Sequence, residues 1–411
     1  MNLEKARKRA THQPPEWTNT FWFKGLKEFE DTQKGKPQLP NYTRVPHSHP
    51  DNAELERALT QLEDGSHTLV FSSGMAAITT TLDALLRPGD SLIAAEPCYT
   101  STYHKLEQLK KIGIDVRYLN LHKLGAYSDR QLLTAVEALT DKTTKIFIGE
   151  TPANPQVPVI FLAPLVFLAQ KLGIILAIDN TFASPYNQRP LEWGCDISFE
   201  SLTKYFDRGL FLGGSTSWRE EIIQPKLRRW KEFRGLTFDM LIGSYYMTCG
   251  GTFSPPLAKR ALANMETLEK EVRKQNLNAL ALAHLLEDMG FTTHYPGLIS
   301  HPQNLISYFQ MKMRDGTNGF GCVVSFDIGS LEAAFRFSED MAKEIALAVS
   351  LGSANTTFQH PAVMTHSTIP RKKRLEMGIT DGLIRVSCGI EDTDWILSLF
   401  EKKLKSFCCI R

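Results

Sequence analysis

The alternation of short apolar runs with helical stretches between residues 51 and 235 constrains the fold more than any other feature. The runs have the length of strands and are almost continuously apolar: HTLVF, DSLIAAE, IDVRYLN, TKIFIGE and IILAIDN. Segments with helical spacing separate them, as in DNAELERALTQLED, where leucines recur at 55, 59 and 62. Strands buried on both faces and joined by helices form largely parallel sheets. The pattern therefore predicts an α/β domain from residue 51 to about 235.

The pattern changes after this domain. A long helical stretch starts at Pro255 and Pro256, and proline favours the first turn of a helix. GFGCVVSFDIG and GLIRVSCGIE then have the pattern of strands, and a last helical segment follows. We predict a smaller C-terminal α+β domain over residues 236–411. Residues 1–50 are rich in Pro, Asn, Thr and His without sustained periodicity, and we interpret them as an extended arm.

Composition narrows the class of protein. The chain has 411 residues and a formal net charge of +2, which gives no electrostatic footprint for nucleic acid or an anionic membrane. The sequence shows no membrane-length apolar run and no apolar signal region at its N-terminus, so we expect a cytoplasmic protein. The seven cysteines are scattered, which argues against a disulfide framework. HSHP and QHPAVMTH lack further ligands at metal spacing, so no metal is expected.

Ligands of open parallel sheets bind beyond the carboxyl ends of the strands, so the residues that follow the strands are the candidates for a site. They are Ser73-Gly74-Met75, Tyr99, Glu150 to Asn154, Asp179-Asn180-Thr181 and Ser201 to Lys204. Together they supply hydroxyl and backbone donors for a phosphate, an aromatic ring, a carboxylate and a lysine. This set matches what a pyridoxal phosphate site needs.

Each group has a physical role in such a site. Ser73 stands at a helix N-terminus, which binds anions, and Ser201 and Thr203 would add hydroxyl donors. Asp179 ends an apolar strand and needs a cationic partner, which the pyridinium nitrogen would be. Tyr99 could stack on the ring. A desolvated Lys204 would have a lowered pKa, which suits a lysine that bonds the cofactor and moves protons.

At these positions the sequence resembles the cystathionine-type, fold type I pyridoxal phosphate enzymes of Cys/Met metabolism. The matching segments run from about residue 40 to the end of the chain: YTR, SSGMAAI, ETPANP, DNTFASPY, PLEWGCDI, SLTKY, HPAVMTHS and LIRVSCGIED. The resemblance implies an aspartate-aminotransferase-like fold, with a mostly parallel, seven-stranded-type sheet in the large domain. It also implies a homotetramer built from dimers that share active sites.

The resemblance assigns roles to individual residues. Lys204 resembles the Schiff-base lysine, Asp179 the pyridinium partner, and Tyr99 the stacking and acid–base tyrosine. The other residues expected to bind the cofactor are Ser73, Gly74, Met75, Asn154, Thr181, Ser201 and Thr203, with Tyr42 and Arg44 from a neighbouring subunit. The residues expected to bind the substrate are Arg385, which would hold its carboxylate, and Ser350, Asn355 and Thr356.

The sequence departs from the family pattern on the substrate side. FDRGLFLGG replaces the usual His-Ser-Asp segment after Tyr205, and the chain has His104, Phe161 and Asn355 where arginine, aspartate and glutamate are common. The segments ETPANP and QHPAVMTHS favour elimination, and we expect a C–S lyase that eliminates at the γ or the β carbon of cystathionine- or methionine-like substrates. Asn355 and the shortened segment after Tyr205 keep an alternative open, a γ-replacement transferase that joins an O-acylhomoserine to a nucleophile. A cofactor-binding homologue without turnover is a third reading.

Overall fold

The computed structural model describes residues 1–34, 39–125 and 127–408. Its strands are β1 His67–Phe71, β2 Ser91–Glu96, β3 Asp115–Asn120, β4 Thr144–Glu150, β5 Ile175–Asp179, β6 Ile197–Glu200, β7 Gly214–Trp218, β8 Thr292–His294, β9 Val323–Asp327, β10 Ala346–Leu347, β11 Thr357–Gln359 and β12 Leu383–Ser387. Its α-helices are α1 Leu3–Arg7, α2 Leu26–Gln33, α3 Pro50–Glu63, α4 Gly74–Leu85, α5 Thr100–Lys111, α6 Leu121–Leu124, α7 Asp129–Leu139, α8 Leu162–Leu172, α9 Ser184–Asn187, α10 Glu220–Leu227, α11 Phe238–Cys249, α12 Pro255–Asp288, α13 Asn304–Gln310, α14 Leu331–Met341, α15 Arg371–Glu376 and α16 Thr393–Cys408.

The first sheet has seven strands in the order β1-β7-β6-β5-β4-β2-β3. The pairs from β6 through β5, β4 and β2 to β3 are parallel, whereas β7 runs antiparallel to both β1 and β6. The prediction of a mostly parallel sheet is therefore confirmed. All five strands predicted from the apolar runs are present, and the carboxyl ends of β4, β5 and β6 meet at one edge.

Helices cover both faces of this sheet. Successive strand residues point to opposite sides, and here the residues on both sides are apolar and are buried by helices. In β2, Leu92 joins the core that contains Ile78 of α4, whereas Ile93 joins the core that contains Leu165 of α8. A third core places α3 and α12 against the edge that carries β1. The strands are fixed by burial on both sides, which holds the loops at their carboxyl ends in defined positions.

The second sheet has five strands in the order β10-β11-β12-β9-β8, and all of its pairs except β10–β11 are antiparallel. It packs on α14, α16 and the C-terminal half of α12, a helix of 34 residues. The predicted α+β character of this part of the chain is confirmed. The exact domain limits at residues 50 and 235 stay predictions, and α11, beyond the second limit, packs into the core of the first sheet through Ile242 and Tyr246.

The N-terminal segment is not wholly extended, since it contains α1 and α2. The segment packs on the rest of the same chain, since Arg7 pairs with Asp51 of α3 at 2.7 Å. Within the segment, the Thr43 amide donates to the Asn19 carbonyl at 2.9 Å. Within the described residues, no helix combines the length and the apolar character that crossing a bilayer requires.

Candidate active site

Lys204 lies in the loop that follows β6, at the edge where the parallel strands end. Its Nζ donates a hydrogen bond to Ser350 Oγ at 3.0 Å. Gly352 makes this contact possible, because a Cβ at that position would lie 2.9 Å from the Tyr205 amide nitrogen and its φ is +74°. The close backbone approach brings the segment that carries Ser350 from the second sheet onto the lysine.

The environment of Lys204 favours its neutral form. Burial is the main cause, the nearby Arg385 charge adds to it, and together they lower the pKa of Lys204 to about 8. The carboxylates of Asp207, Asp179 and Glu150 act in the opposite direction without cancelling it. A free amine is the form that attacks a carbonyl and accepts a proton, so this lysine can do both near neutral pH.

The lowered pKa makes a prediction for the cofactor-free protein. The unfolded chain binds more protons than the folded chain between about pH 8 and the ordinary lysine pKa of 10.5, so the penalty from Lys204 is full below pH 8 and disappears as the pH rises through that window. We expect Lys204→Met to raise the free energy of unfolding at pH 7 by about 2 kcal/mol and to give no gain above pH 10.5. Urea unfolding of both proteins measures this, and a wild type more stable than the variant at pH 7 would contradict it.

Two carboxyl groups lie side by side at the ends of neighbouring strands, of which Glu150 is buried and Asp179 partly buried. Glu150 and Asp179 are paired in the register of β4 and β5. Burial raises the pKa of Asp179, and burial together with the Asp179 charge raises the pKa of Glu150 well above its usual range. Asp179 Oδ1 accepts a hydrogen bond from the Thr181 amide at 3.1 Å. A cation placed at Asp179 would stabilise its carboxylate. A protonated ring nitrogen is such a cation, and it needs an anionic partner of this kind.

The N-terminus of α4 forms a cradle with the strand beside it. Ser73 caps this 12-residue helix by accepting from the Ala76 amide at 3.0 Å. A Cβ on Gly214 would lie 2.5 Å from Gly74 Cα, and one on Gly74 would lie 3.0 Å from Ser201 Cβ. Only glycines permit this packing, which leaves the helix N-terminus beside the Ser201 hydroxyl. Backbone N–H groups and hydroxyls in this arrangement suit a phosphate.

Two of the residues predicted to bind the cofactor, Thr181 and Thr203, use their hydroxyls to hold the loops of the site. The Thr203 hydroxyl donates to the Gly213 carbonyl at 3.1 Å and accepts from the Gly213 amide at 3.0 Å, so it closes the loop around Lys204. The Thr181 hydroxyl accepts from the Ser201 amide at 2.9 Å and ties the loop after β5 to that after β6. Met75 lies in the first turn of α4, partly buried against the core.

Glu150 is a residue whose role the sequence did not reveal. Its Oε2 accepts from the Tyr99 amide at 2.7 Å, and its Oε1 accepts from the Asn154 amide at 2.8 Å. One carboxylate therefore fixes the backbone of both the tyrosine and the asparagine. Its position after a buried strand was the available signal, but the sequence could not show which amides it would accept from.

The substitution Glu150→Gln tests whether these two hydrogen bonds position the site. A glutamine has one acceptor oxygen, so its NH₂ group would face one of the two donor amides and repel it. We expect kcat/KM to fall about tenfold, because one of the two hydrogen bonds that position the Tyr99 and Asn154 backbone is lost, while the fold is retained. Glu63→Gln is the matched control, since Glu63 is equally buried but bonds to Ser198. Equal kinetic losses in both variants would contradict the assignment.

Arg385 lies in β12 and is buried. Its guanidinium donates to Asn154 Oδ1 at 2.7 Å and to the Ser350 carbonyl at 2.5 Å, and the Gln359 amide oxygen accepts from its Nε at 2.9 Å. Burial lowers the pKa of Arg385 to about 10. These hydrogen-bond acceptors are all neutral, and a buried cation with neutral partners is stabilised by an incoming anion.

Four other predicted residues lie outside this cluster of hydrogen bonds. The Thr356 hydroxyl donates to Glu391 at 2.8 Å and accepts from the Gly389 amide at 2.9 Å, so it holds the loop after β12. Asn355 is exposed. Tyr42 and Arg44 are also exposed and stack on each other, with the guanidinium carbon 5.4 Å from the ring centroid.

A cavity of about 420 Å³ opens beside Ser350, between residues 207–212 and 349–353. Leu210, Leu212 and Val349 line it, and each is more than half exposed. The segment FDRGLFLGG, which differs from the family pattern, thus supplies one wall of the cavity. Within the described residues, no group of three His, Cys, Asp or Glu side chains is placed to hold a metal ion.

The residues present fit pyridoxal phosphate. The glycine-lined cradle at α4 offers donors for the phosphate, and Asp179 is a partly buried carboxylate whose raised pKa a ring cation would lower. Lys204 is a desolvated amine close to both Asp179 and Arg385. The Tyr99 amide donates to Glu150, which is paired with Asp179 in the sheet, so Tyr99 lies at the same edge.

Comparisons with known proteins point to the same cofactor. The Cys/Met metabolism PLP-dependent enzyme family matches residues 2–405. A cystathionine γ-lyase of Bacillus subtilis is 33% identical over 372 residues, covering 90% of this chain and 89% of that protein. Cystathionine γ-synthase from Xanthomonas oryzae, solved in complex with cystathionine, has a TM-score of 0.81 at 30% identity and covers 99% of this chain and 98% of that one.

A third similar protein carries the cofactor. The structure of a Campylobacter jejuni chain assigned as an O-acetylhomoserine (thiol)-lyase contains a pyridoxyl-lysine monophosphate, with a TM-score of 0.84 at 25% identity over 97% of this chain and 96% of that one. The relatives include γ-lyases and γ-synthases, so γ-lyase or γ-replacement activity fits this chain. The chain belongs to the pyridoxal phosphate-dependent enzymes of Cys/Met metabolism, with the fold type I architecture.

Proposed function

We propose that this enzyme is a C–S lyase that eliminates a thiol from the γ carbon of an amino acid with an apolar thioether side chain, such as methionine. The observation that carries the proposal is the cluster of Lys204, Arg385 and Ser350 beside a cavity that Leu210, Leu212 and Val349 help to line. The cluster supplies a base and a carboxylate site, and the cavity supplies room for the group beyond the γ carbon.

Bound pyridoxal phosphate would supply the electron sink that makes the α proton of an amino acid acidic. Ser73, Gly74, Met75 and Ser201 would hold its phosphate, and Asp179 its ring nitrogen, with Thr181 and Thr203 shaping the loops around it. Asn154 lies beside the ring site through its bond to Arg385.

The protein groups divide the work on the substrate. Arg385 binds the α-carboxylate, because its neutral partners leave its charge free to be matched. The Lys204 amine takes the α proton and also moves a proton from the β carbon, and Ser350 holds the amine in place. Tyr99 donates a proton to the leaving sulfur. Asn355 is exposed and the Thr356 hydroxyl is bonded to Glu391, so we assign neither side chain a direct contact with the substrate. They shape the loop beside the site.

The lining of the cavity discriminates between substrates. Cystathionine ends in an ammonium and a carboxylate, and the described residues of the lining include Asp207 but no lysine or arginine that could pair with this carboxylate. A methyl thioether needs no such partner and can contact Leu210, Leu212 and Val349. We therefore expect kcat/KM for methionine to exceed that for cystathionine by at least about tenfold.

A substrate screen tests the proposal. The enzyme is incubated with methionine, cystathionine and O-acylhomoserines, with and without cysteine, and the keto acids are identified. Release of 2-oxobutyrate from methionine without added thiol supports γ-elimination, whereas pyruvate indicates loss from the β carbon. Formation of cystathionine from an O-acylhomoserine and cysteine, without methionine cleavage, would replace the lyase by a γ-replacement transferase, the activity of the similar Xanthomonas oryzae synthase.

We also propose a homotetramer in which each site is completed by a neighbouring subunit. Tyr42 and Arg44 are exposed, stacked on each other and held by the bonds of Thr43 to Asn19, so they form a rigid outward feature. In a dimer they would reach the partner's phosphate site. Arg44→Ala should weaken cofactor binding in the assembled enzyme, and unchanged binding would remove this assignment.

A further inference from the structure

The start of helix α5 is held by contacts from outside the helix. Tyr99 occupies the cap position, where Ser, Thr, Asp or Asn usually accepts a hydrogen bond from the first turn, and its side chain supplies no such bond. The Tyr99 ring is 40% exposed, so burial does not fix it either. The position of this phenol therefore depends on the bonds that its backbone and the next residue make with other segments.

Thr100, the first residue of α5, makes one of these bonds. Its hydroxyl donates to the Thr365 carbonyl at 2.7 Å, over a separation of 265 residues. Thr365 lies between β11 and α15, so the bond joins the start of α5 to a segment that leads away from the second sheet. Thr100 is 7% exposed, and a hydrogen bond shielded from water is costly to lose because the carbonyl would keep no donor.

Thr365 is connected in turn to the arginine of the proposed carboxylate site. Gln359 is paired with Arg385 in the register of β11 and β12, and its amide oxygen accepts from Arg385 Nε at 2.9 Å and from the Thr365 hydroxyl at 3.3 Å. That hydroxyl has one proton, so it accepts from His366 Nδ1 at 3.0 Å. Burial, with the Arg385 and Arg374 charges, lowers the pKa of His366 to about 3, and the neutral ring carries a single N–H.

A second set of bonds joins the same two ends. Arg385 donates to Asn154 Oδ1 at 2.7 Å, and the Asn154 amide donates to Glu150 at 2.8 Å. Glu150 also accepts from the Tyr99 amide at 2.7 Å. The two routes thus end at the adjacent residues Tyr99 and Thr100 and form a closed ring of hydrogen bonds. Displacing the tyrosine from the arginine would strain both routes, which makes a ring stiffer than either route alone.

From these contacts we propose that Thr100 is a positioning residue, whose bond to the second sheet's segment holds the Tyr99 phenol at the leaving group while Arg385 holds the substrate carboxylate. The inference rests on the proposed function, in which Tyr99 gives a proton to the leaving sulfur. Lys204 is held by the Ser350 hydroxyl, so removal of the α proton does not depend on Thr100. A small displacement of a proton donor is enough to slow the step that it serves.

The test measures the two proton transfers separately in the holoenzyme. Release of 2-oxobutyrate from methionine needs both transfers. Exchange of the norleucine α proton with deuterium from the solvent needs only Lys204, because norleucine has carbon in place of sulfur and no thiol can leave. Thr100→Val keeps the shape of the side chain and removes the donor. We expect it to lower kcat for 2-oxobutyrate about tenfold and to leave KM and norleucine exchange within about twofold of the wild type.

Two further variants control for the donor and for the contact between the segments. Thr100→Ser keeps the hydroxyl and should restore kcat to within about twofold of the wild type. The Thr368 hydroxyl contacts His104 Nε2 at 2.9 Å, so it also joins α5 to the segment after β11, one helical turn from Thr100 and outside the ring. Thr368→Val should therefore leave kcat unchanged.

Hydrogen exchange gives a readout that does not depend on turnover. The Tyr99 amide is bonded to Glu150, and its exchange is followed by mass spectrometry in each variant. We expect exchange about tenfold faster in Thr100→Val, because the start of α5 opens more often, and the wild-type rate in Thr368→Val. The temperature of thermal unfolding and the absorption band of the cofactor should stay at their wild-type values.

Several outcomes would overturn the proposal. They are an unchanged kcat in Thr100→Val, a loss of kcat that Thr100→Ser or Thr368→Val shares, an equal loss of norleucine exchange, and wild-type exchange of the Tyr99 amide in Thr100→Val. A failure of the proposed function would show instead in the wild type, which would release no 2-oxobutyrate from methionine. The same variants are then compared on the substrate that the screen identifies, and the same outcomes decide.

Discussion

Lys204→Ala is expected to lower kcat by at least about 10³-fold, because one side chain supplies both the bond to the cofactor and the proton transfers. The pKa of about 8 and the contact with Ser350 equip this lysine for both roles. The variant should fold normally, since the substitution removes a group whose burial costs stability at neutral pH. The measurement is the steady-state rate of keto acid release together with the visible absorption band of the bound cofactor.

Lys204→Arg is the control for the charge. It keeps a cation at the position but has no primary amine, so it should lose activity and the absorption band as completely as the alanine variant. A variant of either kind that keeps more than a tenth of the wild-type rate would show that another group acts as the base.

Arg385→Ala is expected to lower kcat/KM by about 10²- to 10⁴-fold, mainly through KM. Two charge-assisted hydrogen bonds to the substrate carboxylate would be lost, each worth about 1.5–3 kcal/mol. Arg385→Lys keeps the charge without the planar fork, so we expect an intermediate loss of about tenfold. The measurement is a full set of rates against substrate concentration for the three proteins.

Arg374→Ala is the matched control for this prediction. Arg374 is 5% exposed and Arg385 is 4% exposed, but Arg374 bonds to Asp381 and to the Ile379 carbonyl. Its loss should lower thermal stability and leave KM unchanged. If Arg385→Ala changed stability alone and left KM as it was, the carboxylate site would have to be sought elsewhere.

The parallel core of the fold could be predicted from the sequence because burial on both faces leaves long apolar runs. Strand β7 could not, since GSTSW contains small and polar residues that are typical of a loop. Its hydroxyls are satisfied inside the sheet, where Ser217 bonds to Thr68 at 2.8 Å and Thr216 to Thr81 at 3.3 Å. Periodicity does not show such partners, because they come from distant parts of the chain.

The helices of the N-terminal arm escaped prediction for a related reason. Helices α1 and α2 have 5 and 8 residues, which is too short for stability without tertiary contacts. Arg7 pairs with Asp51 of α3 at 2.7 Å and holds the arm on that helix, and Arg9 pairs with Glu28 at 2.9 Å within the arm. Local sequence patterns cannot reveal these pairs.

Some residues of the candidate site could likewise be predicted from the sequence, and others could not. Lys204, Asp179 and Ser73 could be placed from the sequence because strand ends and helix caps have local signatures. The cross-links between loops had no such signature: Glu150 reaches Tyr99 over a separation of 51 residues, and Arg385 reaches Asn154 over 231 residues. The substrate side depends on such long-range contacts, which is why the cofactor could be inferred more fully than the substrate.

The lysine to which the cofactor is attached can be identified chemically. The holoenzyme is treated with borohydride, which makes the lysine–cofactor bond permanent, and is then digested and examined by mass spectrometry. We predict the pyridoxyl phosphate mass on the peptide that contains Lys204, with none on the peptides that contain Lys145 or Lys226. A label on any other lysine, or no label in protein that binds the cofactor, would contradict it.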